Sequence, residues 1–334
     1  MTAIHKRFRL MFAAIAFFVF AAVPSAAPQA PASTGPNAQA VHERQLLQDH
    51  YLVSGRGTIP DARSYIIEQS LGRVWGLVHE VWMHWIGGIM IFGVIALFAA
   101  LYFIRGPLRI EAGRSGRMIP RFNWLERATH WMIAVSFVIL TVTGLNITYG
   151  RQLLSPLIGP DAFSRWSLTA KYAHDYSSFP FVIGIVVLVI LWAKKNLPAA
   201  VDIRWFKEGG GMIAGKHPPA GKFNGGQKML FWVAVLGTLG LAVSGLFLLF
   251  PFYWTNIVGM QIAQVTHALI AIAFVATIIA HIYIGAVGME GGWDAMASGE
   301  VDLNWAKQHH SLWVEKELNL GLGAASPTSA PPGP

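Results

Sequence analysis

QIAQVTHALIAIAFVATIIAHIYIGAV, residues 261–287, carries no Asp, Glu, Lys or Arg and is long enough to cross a lipid bilayer. Its two imidazoles, His267 and His281, stand fourteen residues apart. Fourteen residues advance a helix by roughly 21 Å and turn it by about 1400°, within roughly 40° of a whole number of turns. Both rings therefore lie on one helix face, one near each side of a hydrocarbon core about 30 Å thick. An ionisable group at such a depth is a functional hypothesis by default.

The composition agrees with a membrane setting. Of 334 residues, 54% are hydrophobic and 13% are charged, and there are 13 Trp. There is no cysteine. That excludes disulfides, iron–sulfur clusters held by this chain, and haem attached covalently through C-x-x-C-H. The net charge of +8 is distributed as a membrane topology requires, and nucleic acid is not an expected partner.

Residues 1–27, with Lys6, Arg7 and Arg9 before an apolar stretch and then small residues, read as a signal peptide. An uncleaved anchor is the alternative. Residues 28–80 form an outer, periplasmic segment that begins rich in Ala, Pro, Gln and Ser. Five apolar runs follow, at about 81–104, 124–149, 176–193, 229–250 and 261–287. The first is an extra transmembrane helix at 81–104, a basic loop occupies 105–128, a four-helix core spans 124–288, and a tail covers 289–334. The basic loop holds six Arg, and the connection 194–228 holds seven Lys or Arg, whereas 150–175 has three and 251–260 has none. The positive-inside rule then puts both basic connections and the C-terminus in the cytoplasm, and the mature N-terminus in the periplasm of a bacterial inner membrane. The fold class is all-α: an integral membrane bundle with four core helices and one added at the N-terminal side.

Asn123 with Glu126 resembles a capping box, which opens a helix with His130 about 10 Å along it. His130 thus matches His281 in depth on the cytoplasmic side, and His174 matches His267 on the outer side. Neutral imidazole is a natural iron ligand, and two of them make a six-coordinate, electron-transferring haem. Four histidines matched two by two therefore point to two non-covalent b haems, one held by His130 and His281 and one by His174 and His267. The plain alternative for any single one is an interfacial or helix–helix hydrogen bond. Gly144, fourteen residues after His130, offers space at the outer level, or a simple helix contact. His79 and His84 read as interfacial packing, and His309 and His310 as part of a surface-docked tail.

The runs RFNWLERATHW (121–131), KYAH (171–174), KFNGGQKM (222–229) and the His267/His281 helix resemble the gamma, cytochrome b, subunit of bacterial membrane-bound formate dehydrogenases. The resemblance covers about residues 118–316. It implies two b haems ligated at His130, His174, His267 and His281, a quinone site at the position of Asn224 with Gln227 beside it, and two partners outside the membrane. Those partners are a molybdenum or tungsten catalytic subunit that oxidises formate and an iron–sulfur subunit. Electrons then pass from the outer to the inner haem and reduce quinone with cytoplasmic protons. By residues alone, Asn224-Gly225-Gly226 also reads as a turn before a helix. The cytochrome b of a hydrogenase or other respiratory dehydrogenase is the alternative within the class. A haem-free anchor or proton-relay transporter lies outside it, and the absence of Lys, Arg, Asp and Glu near the midplane weighs against that.

Overall fold

The structure is a computed structural model that describes residues 72–211 and 216–319. The signal peptide expected at 1–27 and most of the 28–80 segment lie outside the described residues. Five helices are long and apolar enough to span a membrane: Val74–Arg105, Trp124–Leu153, Pro160–Asn196, Gly225–Leu249 and Ile257–Gly288. The chain is thus an all-α multi-pass membrane protein. Large apolar side chains such as Phe92, Phe103, Ile104 and Ile190 stand exposed along these helices, as lipid-facing residues do.

The helices are labelled α1 (Met83–Arg105, continued N-terminally by a π-helical turn at Leu77–Trp82), α2 (Trp124–Leu153), α3 (Pro160–Trp192), α4 (Ala200–Lys207), α5 (Gly225–Leu249), α6 (Ile257–Tyr283), α7 (Leu303–His309) and α8 (Ser311–Asn319). Two short strands, β1 (Met118–Pro120) and β2 (Glu300–Asp302), pair antiparallel with Ile119 opposite Val301.

Helix α3 begins well before the apolar run near 176. Gly159, at φ +82°, ends the preceding turn, and Pro160 with Asp161 opens the helix. Its first turns carry the i,i+4 pair Lys171–Asp175 at 2.7 Å, so hydropathy alone reads them as a loop. His174 accordingly lies well inside α3 and not at its start.

The chain forms two compact units. One comprises residues 72–89, 135–179 and 241–270. Here the π-helical entry to α1 is tied to the end of α2. Nε2 of His84 lies 2.7 Å from the Thr148 carbonyl, and the Tyr149 hydroxyl donates to the His84 carbonyl at 2.9 Å. Packing is thus the role the structure gives His84. Trp166 Nε1 donates to Asn146 Oδ1 at 2.8 Å and fixes α3 against α2.

The other unit comprises residues 90–134, 180–211, 216–240 and 271–319. Its α2 opens with the capping box read from the sequence: Asn123 N donates to Glu126 Oε2 and Glu126 N to Asn123 Oδ1, both at 2.9 Å. The buried Glu126 also accepts from Trp192 Nε1 at 2.7 Å and pairs with Lys222 at 3.3 Å. Phe122, Trp192 and Phe223 stack about this pair, with ring centres 5.0 to 5.9 Å apart.

The tail corrects an expectation. It is not a surface-docked amphipathic segment: α7 and α8 fold against the loop of residues 106–123, and His310 is buried at 1% exposure. Arg121, also buried, donates to the Lys222 carbonyl at 2.6 Å and lies 3.1 Å from His310 Nε2. Its guanidinium stacks over Trp305 and Trp313. Burial, partly offset by Glu126, brings its pKa down to about 9, so it stays charged at neutral pH.

Candidate functional site

In the first unit, His174 of α3 and His267 of α6 face each other with ring centres 6.3 Å apart. Each ring is held from behind by a buried hydroxyl on the preceding long helix. Thr143 Oγ1 lies 2.9 Å from His174 Nδ1 and donates its own proton to the Ile139 carbonyl at 2.7 Å. Ser244 Oγ lies 3.0 Å from His267 Nδ1 and reaches the Leu241 carbonyl at 3.3 Å. A hydroxyl that donates to a carbonyl presents lone pairs to its other neighbour, so each Nδ1 is the protonated nitrogen. Each Nε2 then carries a free lone pair, the state a metal requires.

Beside each hydroxyl comes a glycine. A Cβ on Gly144 would sit 3.5 Å from Cε1 of His174, and one on Gly245 would sit 3.4 Å from Cε1 of His267. The next ring atom in each case is Nδ1, at 3.9 and 3.7 Å, so both glycines border the Cε1–Nδ1 edge of the ring, beside the hydroxyl contact. Gly144, read from its level in the helix as a place with space or a helix contact, thus lies against the His174 imidazole.

In the second unit, His130 of α2 and His281 of α6 stand with ring centres 6.1 Å apart. The surroundings differ from those of the first pair. Nδ1 of His130 is buried and has no hydrogen-bond partner among the described residues. Trp131 donates to the Met296 carbonyl at 3.1 Å and packs on Trp293. Arg127 bonds the carbonyls of Met296 and Ala297, so the segment after α6 clamps the start of α2. A π-helical stretch, Ile284–Gly288, follows His281 directly.

Both separations can be tested against metal chemistry. Imidazole nitrogens bind metals at about 2.0–2.1 Å, with the ring centre roughly 1.1 Å farther out, so two rings on opposite sides of one metal stand about 6.3 Å apart. The pairs measure 6.1 and 6.3 Å. Among the described residues, no three His, Cys, Asp or Glu side chains converge on one point to hold a bare ion. Two axial imidazoles with no protein ligand around the equator suit a metal that brings its own flat macrocycle.

The structure brings together the four histidines in two pairs and puts Asn224 and Gln227 at a helix start. Asn224 N donates to Gln227 Oε1 at 3.1 Å, and Gln227 N donates to Asn224 Oδ1 at 2.9 Å. Both carbonyl oxygens thus cap α5, which leaves the two NH2 groups as the donors these side chains can offer a ligand. Trp205 of α4 packs against the glycines between them.

Thr143 and Ser244 were not read as site residues from the sequence, yet a signal is present. Val142-Thr143-Gly144-Leu145 recurs as Val243-Ser244-Gly245-Leu246. Twenty residues upstream of each hydroxyl stands the capping Asn of Phe122-Asn123 or Phe223-Asn224. The helix pair α2–α3 is therefore repeated as α5–α6, and His174 and His267 follow equivalent hydroxyl–glycine steps. The repeat does not extend to the other pair, because Phe231 occupies the position that corresponds to His130.

Residues 121–299 match the model of a family described as prokaryotic cytochrome b561. The formate dehydrogenase cytochrome b556 subunit of Haemophilus influenzae is 29% identical over 216 residues, which cover 63% of this chain and 87% of that protein. The nitrate-inducible formate dehydrogenase cytochrome b556(Fdn) subunit of Escherichia coli K12 is 26% identical over 207 residues, 60% of this chain and 92% of that protein. The cytochrome b556(fdo) subunit of the same organism is 28% identical over 202 residues, with 59% and 92% covered.

Proposed function

Because the chain belongs to the prokaryotic cytochrome b561 family, we propose that it is the membrane cytochrome b subunit of a formate dehydrogenase, carrying two b haems and delivering electrons to quinone. The observation that carries this reading is the separation of the two imidazole pairs, 6.1 and 6.3 Å, set beside the formate dehydrogenase subunits it resembles. His174 and His267 would hold the periplasmic-side haem, and His130 and His281 the cytoplasmic-side haem. When bound, each haem supplies a one-electron carrier between an iron–sulfur partner outside and quinone at the cytoplasmic face.

The chain's own residues supply orientation and protons. Thr143 and Ser244 hold two imidazoles in the tautomer that leaves Nε2 free. Gly144 and Gly245 border the same rings at their Cε1–Nδ1 edge, beside those hydroxyls. The NH2 groups of Asn224 and Gln227 are placed to donate to a quinone carbonyl, while their oxygens close α5. Quinone takes two electrons and two protons to become quinol. With the basic connections and C-terminus in the cytoplasm, both protons come from that side and inward electron movement adds to the membrane potential. The catalytic subunit, with molybdenum or tungsten, and the iron–sulfur subunit dock at the periplasmic face.

A pyridine haemochrome assay on purified protein tests the proposal. Two b haems per polypeptide are expected, and a preparation that is folded but haem-free would end it.

A further inference from the structure

The two imidazole pairs are built differently, and the difference has an electrochemical consequence. In the pair of His174 and His267, both Nδ1–H groups meet hydroxyl oxygens, at 2.9 and 3.0 Å. Each hydroxyl in turn points to a backbone carbonyl of its own helix, forming an N–H···O–H···O=C chain whose members polarise one another. In the pair of His130 and His281, Nδ1 of His130 is buried and has no hydrogen-bond partner among the described residues. An acceptor on Nδ1–H pushes electron density toward Nε2 and makes it the stronger donor. Stronger donation stabilises the oxidised iron, which carries the higher charge, and lowers the reduction potential.

From this asymmetry we infer that Thr143 and Ser244 are positioning residues that set the haem of His174 and His267 at lower potential than the haem of His130 and His281. The inference rests on the dihaem reading given above. That difference would favour an electron on the haem of His130 and His281 over the haem of His174 and His267, so the bias toward quinone would rest on two hydroxyl groups. Thr143 and Ser244 are both buried, at 2% and 5% exposure, so water does not replace their contacts. A structural role alone would have been served equally by Val and Ala inside an apolar helix. A buried hydroxyl is retained at both equivalent steps of the repeat, and in both it faces an imidazole.

The test is a potentiometric titration of the purified holoprotein, followed by reduced-minus-oxidised optical spectra, with Thr143→Val, Ser244→Ala and the conservative Thr143→Ser. The lower-potential component of the wild type is assigned with His267→Ala, which removes it. Each hydroxyl-free variant is expected to move that component positive by about tenfold in the reduction equilibrium, or 59 mV for one electron, and to leave the other in place. Thr143→Ser keeps the wild-type potential. Unmoved potentials, or equal shifts of both components, overturn the inference. So does a titration in which the His267→Ala variant loses the higher-potential component. If a hydroxyl-free variant drops that haem altogether, retention by Thr143→Ser supports the hydroxyl and its loss there as well overturns it. Haem content of the wild type is measured first, so failure of the dihaem reading shows as missing haem and failure of this inference as an unshifted potential.

Discussion

A histidine in an apolar helix is informative only through what stands opposite it and behind it. His267 faces His174 and is backed by Ser244, while His281 faces His130. His267→Ala is therefore expected to remove one haem signal and leave the other, and His281→Ala to do the converse. Low-temperature optical spectra of each variant decide the matter, and a variant that keeps both signals would break the pairing. Asn224 carries two duties that a single substitution separates poorly. Asn224→Ala removes a helix cap worth about 0.5–2 kcal/mol and also the NH2 group proposed to meet quinone. Asn224→Asp keeps a capping oxygen and replaces the amide donor with a carboxylate oxygen that only accepts. It should slow quinone reduction severalfold while dye-linked formate oxidation by the assembled complex stays at wild-type rate. Equal loss of both activities would reject the quinone role.

At the scale of elements, the segment from β2 to α8 depends on groups kept neutral or turned away from water. His310 is held well below its ordinary pKa, first by burial and then by the neighbouring Arg121. His309 is lowered to about 4 by burial, His217 and Arg121. A released tail would titrate near 6.5 and take up these protons first. The stabilisation is therefore complete above about pH 6.5 and is lost progressively as pH falls toward 4. Protection of residues 300–319 from proteolysis or hydrogen exchange should fall over that window. Protection that is flat between pH 7 and 4 would contradict the assignment. Gly299 anchors the same segment: at φ +90° its carbonyl accepts from Arg121 N and Phe122 N. A Cβ there would press on the Phe122 carbonyl, so Gly299→Ala should cost about 1–3 kcal/mol and loosen the tail at neutral pH.

For the whole molecule, the testable quantity is direction in the membrane. With six Arg between 105 and 128, and seven Lys or Arg between 194 and 228, the positive-inside rule predicts that both connections lie on the cytoplasmic side. A single cysteine introduced at Lys207 or after residue 319 in this cysteine-free chain should resist a membrane-impermeant maleimide in intact cells. One at Tyr253, between α5 and α6, should react. Reversed labelling would invert the chain and with it the assignment of the inner and outer haem.

Much of this was legible in the chain itself, because the bilayer reads hydrophobic length and charge placement one segment at a time. The existence of five spans, the capping box at Asn123 and the grouping of four histidines all follow from local spacing, with no knowledge of neighbours needed. The true start of α3 was hidden by charges that a helix tolerates on its wet turns. The burial of His310 beside Arg121 was hidden because it joins residues 189 positions apart. The hydroxyls behind His174 and His267 belong to the same class: Thr143 and Ser244 are ordinary helix residues until two helices pack and leave one atom to accept one proton. Sequence determined which groups can enter the membrane and at what interval. Only tertiary packing decided that Nδ1 of His174 and of His267 meets a buried hydroxyl while Nδ1 of His130 meets none among the described residues.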